Sequence, residues 1–310
     1  ISGSGVANLT IDSSYDPSVL NNDNVCVDEK HLWFGVYCVP CEDCFIKDVT
    51  ARHIGFSAVE IGQGVVRMTV DNCSYLEPVS AAKSSRRYGF CLEGADLCLL
   101  KECYCELAAI GFATNGKGGG PNVFYKCRGE NMRTGAGPHQ SWSTGNLYDC
   151  CYNSASFRCT DEGNSGTGHG WCGANNVFWN VETPGFIACE SPWAYENTPT
   201  LNFHSLHSSG RNYSIGTICG HRARTVLNTD YYGNPVIDYF QSIGFPNRPN
   251  AKWYPEVGYN QSGSQHIYLP CSAASDAFDW WPVFETDSFS DPLSLYQCQL
   301  ENRRAARLMQ

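Results

Sequence analysis

Phe45-Ile-Lys-Asp-Val49, Met68-Thr-Val-Asp-Asn72, Leu99-Leu-Lys-Glu-Cys103, Val123-Phe-Tyr-Lys-Cys127, Asn146-Leu-Tyr-Asp-Cys150 and Phe178-Trp-Asn-Val181 are six versions of one short strand that ends in a polar turn. The polar residue near each end falls at Asp48, Asp71, Glu102, Lys126, Asp149 and Asn180, in steps of 23, 31, 24, 23 and 31 residues. One strand per repeat of roughly 20 to 29 residues is the signature of a β-solenoid, and the longer steps read as loop insertions. A leucine-rich repeat requires a Leu-x-x-Leu-x-Leu framework, which is absent. Parallel β-helix rungs require only β-branched, aromatic or small inward residues, so the chain reads as an all-β parallel β-helix. The residue after each aligned position gives an inward column of Val49, Asn72, Cys103, Cys127, Cys150 and Val181. Rungs stack about 4.8 Å apart, which puts neighbouring cysteines within the Cα separation a disulfide accepts. Two readings stand for Cys103, Cys127 and Cys150: inter-rung disulfides, or small buried fillers.

Phe56, Phe90, Phe112, Trp142 and Trp171 form a second expected column, read either as aromatic stacking inside the coil or as an exposed platform for sugar rings. The regular rungs run to about residue 182, and from Thr183 the pattern loosens into segments that pack along or cap the coil. Pro292 to Leu308 alone shows helical spacing, with Leu293, Tyr296 and Leu300 on one side. The expectation is therefore one domain over residues 1–310.

With 42% hydrophobic residues the chain can bury a sizeable core, and its 21 basic against 31 acidic side chains leave a net charge of −10. That balance argues against nucleic acid as a partner, because a binder needs a basic face. No apolar run approaches the roughly 18 residues of a membrane span. The 18 cysteines point to an oxidising, extracellular compartment. Sequons at Asn8, Asn212 and Asn260, with a weaker Asn72-Cys-Ser, support secretion and glycosylation. The opening Ile1-Ser-Gly-Ser-Gly-Val6 is already strand-like and lacks a signal peptide, so a longer precursor is expected.

Two loops carry candidate chemistry. Gly137-Pro-His-Gln-Ser-Trp-Ser-Thr-Gly145 and Gly166-Thr-Gly-His-Gly-Trp-Cys-Gly-Ala-Asn175 are alike, and their histidines, His139 and His169, lie one inserted rung apart. Paired imidazoles near Arg133, Arg158, Asp161 and Glu162 offer a general acid and base; the competing reading is that each histidine only braces a glycine-rich turn. Gln140, Trp142, Trp171 and Asn175 are the matching candidates for sugar contact. Cys38-Val-Pro-Cys41-Glu-Asp-Cys44 lacks the second cluster of a zinc site and reads as disulfide cysteines. Asp16, Asn22, Asp23 and Asn24 form a polar loop without EF-hand spacing, so Ca²⁺ has no motif behind it and no cofactor is expected.

The segments Gly137-Pro-His-Gln-x-Trp-x-Thr-Gly-x-Leu-Tyr-Asp149, Asn164-Ser-Gly-Thr-Gly-His-Gly-Trp-x-Gly-Ala-Asn175 and Val177-Phe-Trp-Asn180 resemble a largely bacterial, uncharacterised family of secreted proteins with the pectin-lyase fold. Ile1 to Val6, Cys73 to Ser80 and Ser294 to Leu300 are similar as well, so the resemblance covers nearly the whole chain. It implies a right-handed parallel β-helix, the architecture of many polysaccharide lyases and hydrolases. The chain departs from that pattern at Leu107 to Phe112, where a Gly-Arg-His-Asp-Phe-like turn is expected, and at Ser141, where relatives carry Arg. Both changes remove charged groups from the flank where a uronate would bind. Gly168-His-Gly170 also resembles the polygalacturonases, whose clustered aspartates are missing here. Two functions follow as expectations. The first is binding or cleaving extracellular polysaccharide, with lyase chemistry if the protein is an enzyme. The second is a non-catalytic structural or adhesive subunit that associates with copies of itself.

Overall fold

The structure, a computed structural model, describes residues 1–22, 24–81, 86–116, 119–140, 142–159, 169, 172–183, 187–188, 212–219, 257–259, 265–267, 283–285 and 292–308. Its strands are mostly parallel and stack as a curled, solenoid-like array with three faces. The first face stacks Gly5–Asp12, Phe45–Arg52, Thr69–Asp71, Leu99–Lys101, Val123–Tyr125, Leu147–Asp149, Val177–Trp179 and Tyr213–Cys219 in that order. The second face continues from the end of Phe45–Arg52 through Ser74–Leu76, Tyr104–Glu106, Arg128–Glu130, Tyr152–Asn153 and Glu182–Thr183. The third stacks Phe34–Cys38, Ser57–Ile61, Tyr88–Leu92, Ile110–Asn115 and Gly137–Gln140.

A repeated backbone corner makes the coil turn from the first face to the second. Asp48, Asn72, Glu102, Lys126, Cys150 and Asn180 all have φ between 47° and 55°, in steps of 24 or 30 residues. Asn and Asp tolerate this left-handed conformation, whereas Glu, Lys and Cys adopt it at a cost. The corner therefore lies at Asn72 and Cys150, one residue beyond the expected Asp71 and Asp149. The acidic side chain is not what recurs; the left-handed backbone is.

That one-residue correction also moves the inward column, which is Val49, Cys73, Cys103, Cys127, Cys151 and Val181, all nearly inaccessible. Asn72 is exposed and Cys150 half-buried. Among the described residues fifteen cysteines are free thiols, including the disulfide candidates Cys38, Cys41, Cys44, Cys103, Cys127 and Cys150. The stacking that motivated inter-rung bridges is present, but its members are Cys73, Cys103, Cys127 and Cys151, and they meet as thiols.

Inward positions of the first face fill the core with Ile46, Val70, Leu100, Phe124, Tyr148 and Phe178. Phe124 and Tyr148 stack at 4.4 Å between centroids. The expected aromatic column divides. Phe90 and Phe112 are core rings stacked at 5.3 Å, Phe56 lies in a separate cluster on the third face, and Trp142 is 48% exposed. Trp171 lies outside the described residues.

Beyond the expected limit near residue 182, Val177–Trp179 pairs in parallel with Tyr213–Cys219, which pairs in turn with Val283–Glu285. Asn212 opens that rung. It is fully buried, and its Oδ1 accepts the Asn176 side-chain amide at 2.9 Å, so the glycan expected there has no room. Asn8 and Asn72 are exposed, while Asn260 lies outside the described residues.

The helix spans Leu295–Leu308. Ser294 caps it by accepting the Gln297 N–H at 3.0 Å. Leu293, expected on its apolar side, precedes it and is exposed. Among the described residues no helix is long and apolar enough to cross a membrane. In the polar loop near the N-terminus, Asp16 accepts the Ser18 N–H and hydroxyl at 2.9 and 2.6 Å, which commits that carboxylate to its own turn.

Candidate functional site on the third face

Strand alternation gives the third face an outer surface as well as an inner one. The inner surface carries Val59, Ile61, Phe90, Leu92 and Phe112 into the main core. The outer surface holds its own apolar cluster of Phe56, Tyr88, Cys91, Ile110 and Ala113, against which Trp33 and Phe34 pack. Above this floor runs a file of rings. Trp33 stacks on Phe56 at 5.9 Å, Phe56 on Tyr88 at 5.0 Å, Tyr88 meets the edge of His139 at 5.4 Å, and His139 meets His169 at 4.9 Å.

The two histidines singled out by their loops therefore come together. Asn115 positions His139: it opposes Gln140 in the strand pairing, and its Oδ1 faces His139 Nδ1 at 3.1 Å. An amide oxygen only accepts, so Nδ1 donates to it, which directs Nε2 to the opposite side of the ring. The Tyr88 hydroxyl lies 3.4 Å from that Nε2 and can donate to it. The result is an imidazole held at one nitrogen by an amide and facing a phenol with the other.

Beneath the rings the face is partly polar. Glu60 and Cys91 are neighbours in the strand pairing and both are buried. Burial, reinforced by the Glu60 carboxylate, holds the Cys91 thiol well above its usual range. Neither residue belongs to a motif; only the register brings them together.

The other expected residues separate. Gln140 is half-buried beside Asn115, and its carbonyl accepts the Gly116 N–H at 3.0 Å. Arg133 is exposed at the corner that opens onto the third face, where its N–H donates to Ala108 at 2.9 Å. Arg158 lies on the short strand Phe157–Arg158, paired with Ile187–Ala188. Asn175 occupies a left-handed corner and points to solvent, away from the paired strands of this face. Asp161 and Glu162 lie outside the described residues. Among the described residues no group of three His, Cys, Asp or Glu side chains is placed to hold a metal ion.

No family model, curated protein or solved structure matches the chain.

Proposed function

We propose that the third face is the polysaccharide-binding surface of an extracellular, right-handed parallel β-helix protein, and that His139 acts there as a base in β-elimination. The observation that carries this reading is the setting of His139: Nδ1 tied to Asn115, Nε2 3.4 Å from the Tyr88 hydroxyl, and His169 beside it. In the reaction, His139 Nε2 takes the proton α to a uronate carboxylate. The electron pair left behind forms the C4–C5 double bond as the C4–O bond breaks, and Tyr88 gives its proton to the departing oxygen. No water or cofactor is consumed. Exposed sequons at Asn8 and Asn72 support the extracellular setting.

Incubation with a panel of uronate polysaccharides tests the reading through the ultraviolet absorbance of unsaturated ends. Turnover that His139→Ala lowers at least about a hundredfold supports it. A folded wild-type chain that neither binds nor cleaves any polymer of the panel overturns it.

A second reading has one observation of its own. Among the described residues the first strand, Gly5–Asp12, ends the stack of the first face, and its Val6 and Leu9 are each 37% exposed. An uncovered strand edge with apolar side chains suits end-to-end assembly of copies. Light scattering of wild type against Leu9→Lys separates the two readings. Assembly lost in the variant favours the structural role, and a monomer at all concentrations excludes it.

A further inference from the structure

The chain crosses from the first face to the third through the loop of residues 13–33, and a histidine holds each end of it. At the start stands His53, in the left-handed conformation at φ 54°. Its Nδ1 lies 2.7 Å from Asp12 Oδ1, at the end of the first strand, and its Nε2 lies 3.1 Å from Glu77 Oε2, just after Ser74–Leu76. The Tyr15 ring packs against it at 4.8 Å. At the far end, His31 Nε2 lies 2.8 Å from the Asp28 carbonyl oxygen and Nδ1 lies 3.0 Å from that of Leu32. The Leu32 carbonyl also accepts the Gly55 N–H at 3.0 Å, and the Trp33 carbonyl accepts the Phe56 N–H at 2.8 Å. His31 therefore secures the step that places Trp33 at the head of the ring file.

All four ring nitrogens face oxygens that only accept, carbonyls at His31 and carboxylates at His53. An imidazole can donate to two acceptors only while it carries both ring hydrogens and the positive charge that comes with them. The neutral ring has one hydrogen, and its other nitrogen turns a lone pair toward an oxygen. Histidine is the side chain that makes this change between about pH 5 and 8.

The charged neighbours decide what the change loosens. Arg52 shares both partners of His53, with Nη2 2.7 Å from Glu77 Oε2 and Nε 4.0 Å from Asp12 Oδ2. Those carboxylates keep a cation when His53 is neutral, so the strands beneath stay joined. Around His31, the Asp28 carboxylate is committed to the Asp16 and Lys30 N–H groups at 2.8 and 3.0 Å, and Glu29 pairs with Arg86 at 2.8 Å. The third face presents the uncharged Gly55 to the His31 ring, so close that a Cβ there would fall 2.9 Å from Cε1.

We propose that His31 and His53 form a pH-sensitive clasp, which holds the 13–33 loop and Trp33 against the coil in mild acid and loosens them as pH rises. The clasp is independent of the His139 site and holds whether or not the third face binds polysaccharide. Because the charged rings make the additional bonds, protection of the loop is complete at the acidic end and is lost as the rings give up their protons.

Hydrogen exchange of the full chain, followed by mass spectrometry at about pH 5.5 and pH 8, tests this, with labelling times scaled for the intrinsic effect of pH. Peptides within residues 13–22 and 24–33 report on the loop, and Val123–Tyr125 and Leu147–Asp149 serve as the core reference. In the wild type, protection of the loop relative to the core falls at least about fivefold between the two conditions. The double variant His31→Gln/His53→Gln is neutral at both positions at either pH. It is less protected in the loop than wild type at the lower pH and shows no further fall at the higher. The proposal is overturned if loop protection in the wild type, measured against the core, is the same at both pH values, a result that needs no variant to fold. It is equally overturned if the folded double variant keeps the pH dependence of the wild type.

Discussion

Asn146 donates its side-chain amide to Asn176 Oδ1 at 2.8 Å, and the same oxygen accepts the Asn146 backbone N–H at 3.0 Å. Asn122 repeats the arrangement against Asn146, and Asn176 repeats it against Asn212. Each amide sits one rung above the next at the corner that opens the first face, where Cys44, Met68 and Cys98 occupy the earlier rungs. All four asparagines are buried, yet each amide oxygen is satisfied by its neighbour. A buried polar column is stable only when it is complete.

Asn146→Ala should therefore be costly. It removes the acceptor of the Asn122 N–H and the donor to Ser143 Oγ, which lies 2.8 Å away. Stranding these groups should destabilise the fold by about 2–4 kcal/mol, read as a lower urea midpoint at unchanged slope. A shift worth less than about 0.5 kcal/mol would show that water replaces the amide freely.

The period of the coil was visible in the sequence because each rung reuses one strand and one corner. What decided the exact register was not. The corner selects a backbone conformation that Asn72, Glu102, Lys126 and Cys150 all reach, so aligning on polar side chains slipped by one residue at Asp71 and Asp149. Asn212 read as a glycan acceptor because a sequon is three residues long, whereas its ladder partners lie a full rung or more away. The site shows the same division. His139 and His169 were found because their loops repeat, but Tyr88 and Asn115 share no motif with them. Only stacking of different rungs brings those residues to His139.

Gly173 lies inside the motif Gly170-Trp-Cys-Gly-Ala-Asn175, and its neighbour across the strands explains the glycine. A Cβ at this position would fall 1.8 Å from the Ser143 carbonyl oxygen. That oxygen is held by the sheet and cannot swing away as a side-chain tip would. Gly173→Ala should therefore prevent folding or cost more than about 3 kcal/mol. Gly3→Ala, where nothing lies within 4 Å of the added carbon, provides the contrast, with only the smaller cost of its φ of 62°. Equal expression and equal melting of the two variants would refute the account.

Asp149 fastens the C-terminal helix to the first face. Its Oδ2 accepts the Ser294 hydroxyl at 2.8 Å and the Tyr296 N–H at 2.6 Å, so a carboxylate sits at the positive end of the helix dipole. Trp179 Nε1 adds a bond to the Pro292 carbonyl at 2.9 Å. Asp149→Asn keeps the shape and removes the charge. Hydrogen exchange across Leu295–Leu308 should accelerate about tenfold, in line with a loss of 1–2 kcal/mol, while exchange in the core strands stays as in wild type. Unchanged exchange in the helix would mean that its other contacts suffice.

Buried thiols make stability fall in alkali. Burial pushes Cys98 up to about 11 and holds Cys105 and Cys127 well above the usual range. An unfolded thiol titrates near 8.5. Because the folded values are raised, the folded chain keeps protons that the unfolded chain has lost. The contribution is complete below about pH 8.5 and is lost as pH rises toward 11, by at most about 1.4 kcal/mol per unit for each thiol. Urea midpoints at pH 7.5, 9 and 10 should decline, and Cys98→Ala should flatten the decline. A flat profile in wild type would contradict the burial of these groups.

Tyr88→Phe separates chemistry from packing at the proposed site. The variant keeps the ring that stacks on Phe56 and meets His139, and loses only the hydroxyl facing His139 Nε2. Unfolding should stay within about 1 kcal/mol of wild type, the net worth of a hydrogen bond such as the 3.4 Å one to His139. If Tyr88 protonates the departing oxygen, kcat on a uronate polymer should fall by about 10²–10⁴-fold while KM changes little. A leaving group that needs no proton, such as a fluoride or an activated aryl ether at C4, should recover most of the loss. A variant slowed equally on both kinds of substrate would place the hydroxyl in positioning His139 and not in proton transfer.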